Sequence, residues 1–98
     1  MVVVVITARV LPEKAEEYQR ELRDLIPKMK AMEPGMLVYE VGRSRDEPNI
    51  YRHIELYRDD KAMDEHRANE FVNAKRATMF ACIDGGYAGY DVKFHDTF

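Results

Sequence analysis

The sequence predicts an α+β fold, a four-stranded antiparallel sheet with helices on one face. Three observations predict it. β-branched and aromatic residues gather in four short runs bounded by Gly, Pro, Asn and Asp. Between these runs lie segments whose apolar residues recur every three or four positions, as on the buried face of a helix. The elements follow the order β-α-β-β-α-β, the split βαβ or ferredoxin-like arrangement. A chain of 98 residues suits one domain over 1–98, and 46% apolar residues are enough to build its core.

Val2–Val10 is β-branched and stops before Pro12, and is expected as strand one. Pro12 or Glu13 opens a helix that reaches Met32. Ala15, Tyr18, Leu22, Leu25, Ile26, Met29 and Met32 form its apolar stripe. Glu13, Glu16 and Glu17 at its start and Lys28 and Lys30 near its end suit the helix dipole, and Glu16–Arg20 and Asp24–Lys28 are favourable pairs four apart. Pro27 removes one helical hydrogen bond and is expected to kink the helix. Glu33-Pro34-Gly35 is a turn leading into strand two, Met36–Val41. The polar loop Ser44–Asn49 joins it to strand three, Ile50–Tyr57, and so short a connection makes an antiparallel hairpin. Asp59 or Asp60 caps a helix running to about Ala68. Asn69 caps its continuation, Glu70–Ile83, which Gly85-Gly86 ends. Tyr87–Phe94 alternates and is expected as strand four, leaving His95–Phe98 as a tail.

Composition narrows the function. The net charge is −3, and Lys and Arg are interleaved with Asp and Glu rather than massed on one stripe, so no nucleic-acid partner is expected. The single cysteine, Cys82, has no internal partner and sits in an apolar helical stretch. The fold therefore needs no oxidising compartment, and a cytoplasmic location is expected. Val2–Ile6 is apolar but too short for a membrane span or a signal peptide, so no membrane partner is expected either.

Both faces of the strands are partly apolar. Ile50, Ile54 and Leu56 oppose Tyr51 and Tyr57, and Val3 and Val5 oppose Val4 and Ile6. Helices cover only one face of such a sheet. The other would leave a large apolar patch in water, so a homodimer through the sheet face is expected.

No GxGxxG, phosphate-cradling loop, HExxH or CxxC is present, so no cofactor held by those devices is expected. The chemistry-bearing row is in strand three, where alternation puts Tyr51, His53, Glu55 and Tyr57 on one face. His66, nine residues after Tyr57, lies on the helix that packs back over the sheet. A phenol, an imidazole and a carboxylate could thus converge with His66 in one pocket and relay protons near neutral pH. The same residues also suit half-buried strand positions with a single hydrogen bond each. His53, Glu55 and His66 are acceptable metal ligands by type, but their spacing is no recognised signature, and no metal is expected. His95 falls in the tail, and Met29, Met32, Met36, Met63 and Met79 suit core positions.

Glu33-Pro34-Gly35-Met36, then Glu55-Leu56-Tyr57-Arg58-Asp59-Asp60-Lys61-Ala62, then His66 and Phe71, resemble the antibiotic biosynthesis monooxygenase domain family. That family shows an E-x-G turn, an E-x-[WY]-x-[DS]-x-x-A passage from strand to helix, a His four residues later and a following aromatic. The resemblance implies a dimeric α+β barrel in which two sheets face each other and each subunit keeps a pocket between its own sheet and helices. It also implies activities found among relatives: cofactor-independent oxygenation of phenols and quinols, haem degradation, or isomerisation of a small sugar derivative. The haem-degrading branch carries a Trp where this chain has Tyr57 and a helical His where it has Arg76. Many relatives carry a His where this chain has Glu70.

The resulting expectation is a monooxygenase that oxidises a small phenolic, quinol or enol substrate without a cofactor. His66, Tyr57 and His53 are its candidate catalytic residues. His66 is the base, Tyr57 and Tyr51 donate hydrogen bonds or stack, and His53 or Glu55 holds the partner tautomer. Tyr51, Glu55 and Phe71 are the candidate substrate-binding residues. An acid–base isomerase or tautomerase and a non-catalytic ligand-binding dimer are the alternatives.

Overall fold

The computed structural model covers residues 1–98. The β-branched runs form one sheet of β1 (Val2–Arg9), β2 (Met36–Arg43), β3 (Ile50–Tyr57) and β4 (Tyr90–Asp96). Its order is β2-β3-β1-β4, with every neighbouring pair antiparallel. Helices α1 (Ala15–Met32), α2 (Asp60–Ala68) and α3 (Glu70–Phe80) complete the ferredoxin-like α+β fold. No helix is long and apolar enough to cross a membrane.

Period-two alternation decides which side of each strand is buried. Val2, Val4, Ile6 and Ala8 of β1 turn toward the helices and form one core with Tyr18, Leu22, Leu25 and Met29 of α1. Met32, at the end of the expected stripe, is instead exposed, because the chain turns away at Glu33 before the helix completes another turn over the sheet. Pro27 lies on the exposed side of α1, which runs on through it. The carbonyl left without its helical N–H donor can therefore face water.

In β2 the register against β3 slips between Met36 and Val38. This bulge resets the alternation, so Met36 and Tyr39, three positions apart, both face the helices. Gly35 is pressed onto the first turn of α2: a Cβ there would stand 2.6 Å from Ala62 Cβ. Asp59 caps α2 by accepting from the Ala62 N–H at 2.8 Å. Asn69, with φ −67° and ψ 110°, breaks the helix, and its side chain accepts from the N–H groups of Phe71 and Val72 to start α3.

The C-terminal boundaries differ from the sequence expectation. Helix α3 ends at Phe80 rather than Ile83, because Ile83 pairs with Val10 as an isolated bridge. Gly86–Gly89 then forms a single 3₁₀ turn, so β4 begins at Tyr90 and takes in His95, opposite Val3. Gly89 must be glycine here, since a Cβ would meet the Asp84 carbonyl oxygen.

The sheet face away from the helices is open. Leu37, Val38 and Ile54 are exposed on it, and Val3, Val5 and Leu56 are half-buried.

Candidate active site

Between the sheet and the two shorter helices lies a cavity of about 450 Å³. Its walls are largely apolar, and Tyr57, Glu55, His66, Tyr39, Arg67 and Arg76 supply its polar groups. The site forms where strand three presents a polar row to an otherwise largely apolar core.

His66 is buried, and its orientation is fixed. Its Nδ1 lies 2.9 and 3.0 Å from the two carboxylate oxygens of Glu33, at the end of α1. A nitrogen facing a carboxylate carries the proton, so Nδ1–H donates and Nε2 is the ring's free lone pair. Nε2 stands 3.9 Å from Glu55 Oε1, beyond hydrogen-bond distance. Burial lowers the His66 pKa and the Glu33 carboxylate pulls it back up, with burial the larger effect. The ring is therefore neutral at pH 7, with an unprotonated Nε2 beside the cavity.

Glu55 is a buried carboxyl with one oxygen occupied. Oε1 accepts from the Tyr57 hydroxyl at 2.5 Å, while Oε2 is buried without a partner. Burial pushes the Glu55 pKa up to about 7, against the opposing effects of the Tyr57 hydrogen bond and the Arg76 charge. The Tyr57 hydroxyl is raised in turn, first by burial and then by Glu55. A neutral imidazole and a carboxyl poised near neutrality thus sit side by side, each able to exchange a proton with a ligand.

His53 is placed differently. It is fully buried and does not line the cavity. Its Nε2 pairs with the Tyr18 hydroxyl at 2.6 Å and its Nδ1 with the Tyr39 hydroxyl at 2.8 Å. Burial lowers its pKa to about 4, so one ring nitrogen donates to a tyrosine and the other accepts from one. With both nitrogens occupied, His53 adds no ligand to Glu55 and His66, and no three His, Cys, Asp or Glu side chains are grouped to hold a metal ion.

Of the residues singled out from the sequence, the structure therefore brings His66, Tyr57 and Glu55 together around the cavity, with His53 behind Tyr39. Tyr51 lies elsewhere. It accepts from Gln19 Nε2 at 2.7 Å and faces a shallower depression beside Arg43. Phe71 is 38% exposed beside Lys28 and outside the cavity.

Sequence reasoning missed Tyr39, and named Glu33 and Arg76 only through the family resemblance without assigning them to the site. Glu33 did carry a signal, because an acidic residue at a helix C-terminus opposes the dipole and calls for a compensating partner. Tyr18 carried one too, as a phenol within a buried stripe must find a hydrogen bond. The spacing of α3 gave no signal for Arg76; the family resemblance did, since the haem-degrading branch carries a helical His at that position.

Residues 1–77 match the family model described as antibiotic biosynthesis monooxygenase. The chain belongs to that family. Among solved structures, a candidate antibiotic biosynthesis monooxygenase from Caulobacter crescentus is 34% identical over 99% of this chain and 89% of its own, with a TM-score of 0.92. A Pseudomonas aeruginosa protein is 26% identical over 99% of this chain and 93% of its own, at a TM-score of 0.79. A conserved Methanosarcina mazei protein, 22% identical over 99% and 92%, shares the fold at a TM-score of 0.89. No protein of curated function matches the chain.

In this antibiotic biosynthesis monooxygenase family member the motif residues prove to be neighbours in space. Glu33 holds His66, Gly35 packs on Ala62, and Glu55 and Tyr57 are hydrogen-bonded to each other beside His66. The turn, the strand-to-helix passage and the histidine form one packing unit around one end of the cavity.

Proposed function

We propose that this family member is a monooxygenase that oxidises a small phenolic, quinol or enol substrate with molecular oxygen and no bound cofactor. The observation that carries this reading is His66, which is neutral, fixed through Nδ1 by Glu33, and has Nε2 free beside an apolar cavity. Nε2 takes the substrate hydroxyl proton. The phenolate formed passes one electron to oxygen, and the phenoxyl radical and superoxide combine at a ring carbon. Loss of water from the resulting peroxide leaves a quinone, so one oxygen atom enters the ring and the other leaves in water. The substrate supplies every electron. Tyr57 and Tyr39 orient the ring, and His53 acts as a positioning residue by holding Tyr39.

The assembly proposed with this reaction is a homodimer, the dimeric α+β barrel, through the open sheet face. Its support is the row Leu37, Val38 and Ile54, apolar and exposed in the single chain. A reducing, cytoplasmic setting fits a chain whose one thiol is free and buried.

The test is oxygen uptake by chelator-treated protein with a panel of hydroquinones and polyphenols. Removing the general base in His66→Ala should lower the rate ~10²–10⁴-fold. Undiminished turnover in His66→Ala would remove His66 from the mechanism. Rearrangement of the same compounds under nitrogen, without uptake in air, would assign the His66–Glu55 pair to isomerisation. No turnover under either atmosphere would leave a ligand-binding dimer.

A further inference from the structure

Two cavity groups have no counterpart within the protein. Glu55 Oε2 is buried without a hydrogen-bond partner. Arg76, half-buried on α3, lines the same cavity and forms no salt bridge; its one side-chain hydrogen bond is to Asn73, three residues earlier on its own helix. Its charge nevertheless bears on Glu55, Tyr57, His66 and Tyr90, so its field is directed into the cavity. Arg67, stacked over Phe94 at 5.5 Å, lines the cavity as well. Arg67 is exposed at the cavity's edge, so Arg76 is the half-buried guanidinium that faces the one cavity carboxyl, Glu55. Were Arg76 the structural partner of Glu55, the two would have closed to ion-pair distance.

We infer that the substrate of the site proposed above carries a carboxylate that pairs with Arg76 and, besides the hydroxyl whose proton His66 Nε2 takes, a second hydroxyl that donates to Glu55 Oε2. This rests on the oxidative reading for the role of the first hydroxyl but not for the binding itself. A guanidinium offers two parallel N–H donors that match a carboxylate, and in an apolar cavity such charge-assisted bonds are stronger than neutral ones. The aromatic and aliphatic walls take the ring between the two polar ends. The substrate class is an aromatic or enolic hydroxy acid.

The test is calorimetric binding under nitrogen, which needs no turnover. The probes are 2,5-dihydroxybenzoate and 1,4-dihydroxy-2-naphthoate, each against its methyl ester. At least one acid is expected to bind roughly 10–100-fold more tightly than its ester. Arg76→Gln should remove that preference by weakening acid binding far more than ester binding, Arg76→Lys should keep part of it, and Arg23→Gln, outside the cavity, should keep all of it. Acid affinity should fall with added salt and ester affinity should not. The salt series on the native protein decides the matter should Arg76→Gln fail to fold. Equal binding of acid and ester in both ring systems, or an acid preference that survives in folded Arg76→Gln, would overturn the inference. Acid preference without oxygen uptake would keep it and sink the oxidative reading. Uptake with acid and ester used alike would do the reverse.

Discussion

Replacing Glu55 by glutamine tests the electrostatics of the cavity without changing its shape. Folding raises the Glu55 pKa from 4.5 to about 7 through burial. A group whose pKa is raised in the folded state contributes stability that is present below the unfolded pKa and lost as pH rises through the folded one. The protein should therefore lose stability from this group between pH 4.5 and 7. With 1.36 kcal/mol per pKa unit, the whole shift is worth about 3 kcal/mol, of which roughly 2–3 kcal/mol falls between pH 5 and pH 8. Glutamine keeps an oxygen for the Tyr57 hydroxyl and cannot ionise. The variant should lie near the native protein in stability at pH 5 and exceed it by that amount at pH 8. For a chain of this length the gain corresponds to ~10–15 °C in Tm. Urea unfolding at fixed protein concentration, at pH 5, 6, 7 and 8, measures it. His53, held between two tyrosines and away from the cavity, is unaltered by the replacement, so its contribution cancels in the difference. Parallel stability–pH curves would refute the assignment of a raised pKa to Glu55.

The open sheet face gives a prediction about assembly. Light scattering should report twice the mass of one chain, with an interface of roughly 1,600 Å² in total, and Ile54→Asp should yield a monomer or insoluble protein. A monomeric native protein at micromolar concentration would sink the dimer. The buried Tyr18–His53–Tyr39 chain gives another prediction. Tyr18→Phe leaves one His53 nitrogen unpaired and should cost ~1–3 kcal/mol, read by urea unfolding, with no change in the His66 tautomer seen by nitrogen NMR.

The fold was readable because two periodicities and one punctuation signal agreed: alternation in four runs, a helical stripe from Ala15 to Met29, and turn residues between them. Its boundaries failed where long-range pairing overrode local pattern. Ile83 left the helix to pair with Val10, and the Gly86–Gly89 turn delayed β4 to Tyr90. The site was readable on β3, since alternation alone put Tyr51, His53, Glu55 and Tyr57 on one face. Alternation could not say how far along that face each residue sits from the helices. Tyr51 and Tyr57 are six residues apart, about 20 Å along an extended strand, so one cavity does not take in both. Glu33 was hidden for another reason: its partner, His66, is 33 residues away, and only the docking of the turn on α2 brings them together.

The break at Asn69 decides how much room the site has. Asp60 to Phe80 differs from one continuous helix by a single residue whose ψ is 110° rather than about −42°. Continued straight, 21 residues would form a rod about 30 Å long, carrying Arg76, Met79 and Phe80 away from the sheet. The bend instead folds α3 back as a wall of the cavity, and Asn69 Nδ2 ties the bend to Glu33 at 3.2 Å. The carboxylate that orients the base thus also anchors the pivot of that wall. The far end of α3 is held as well, by the Ile83–Val10 bridge and the bond from Asp84 N–H to the Arg9 carbonyl, so the chamber's width is set from both ends of one helix.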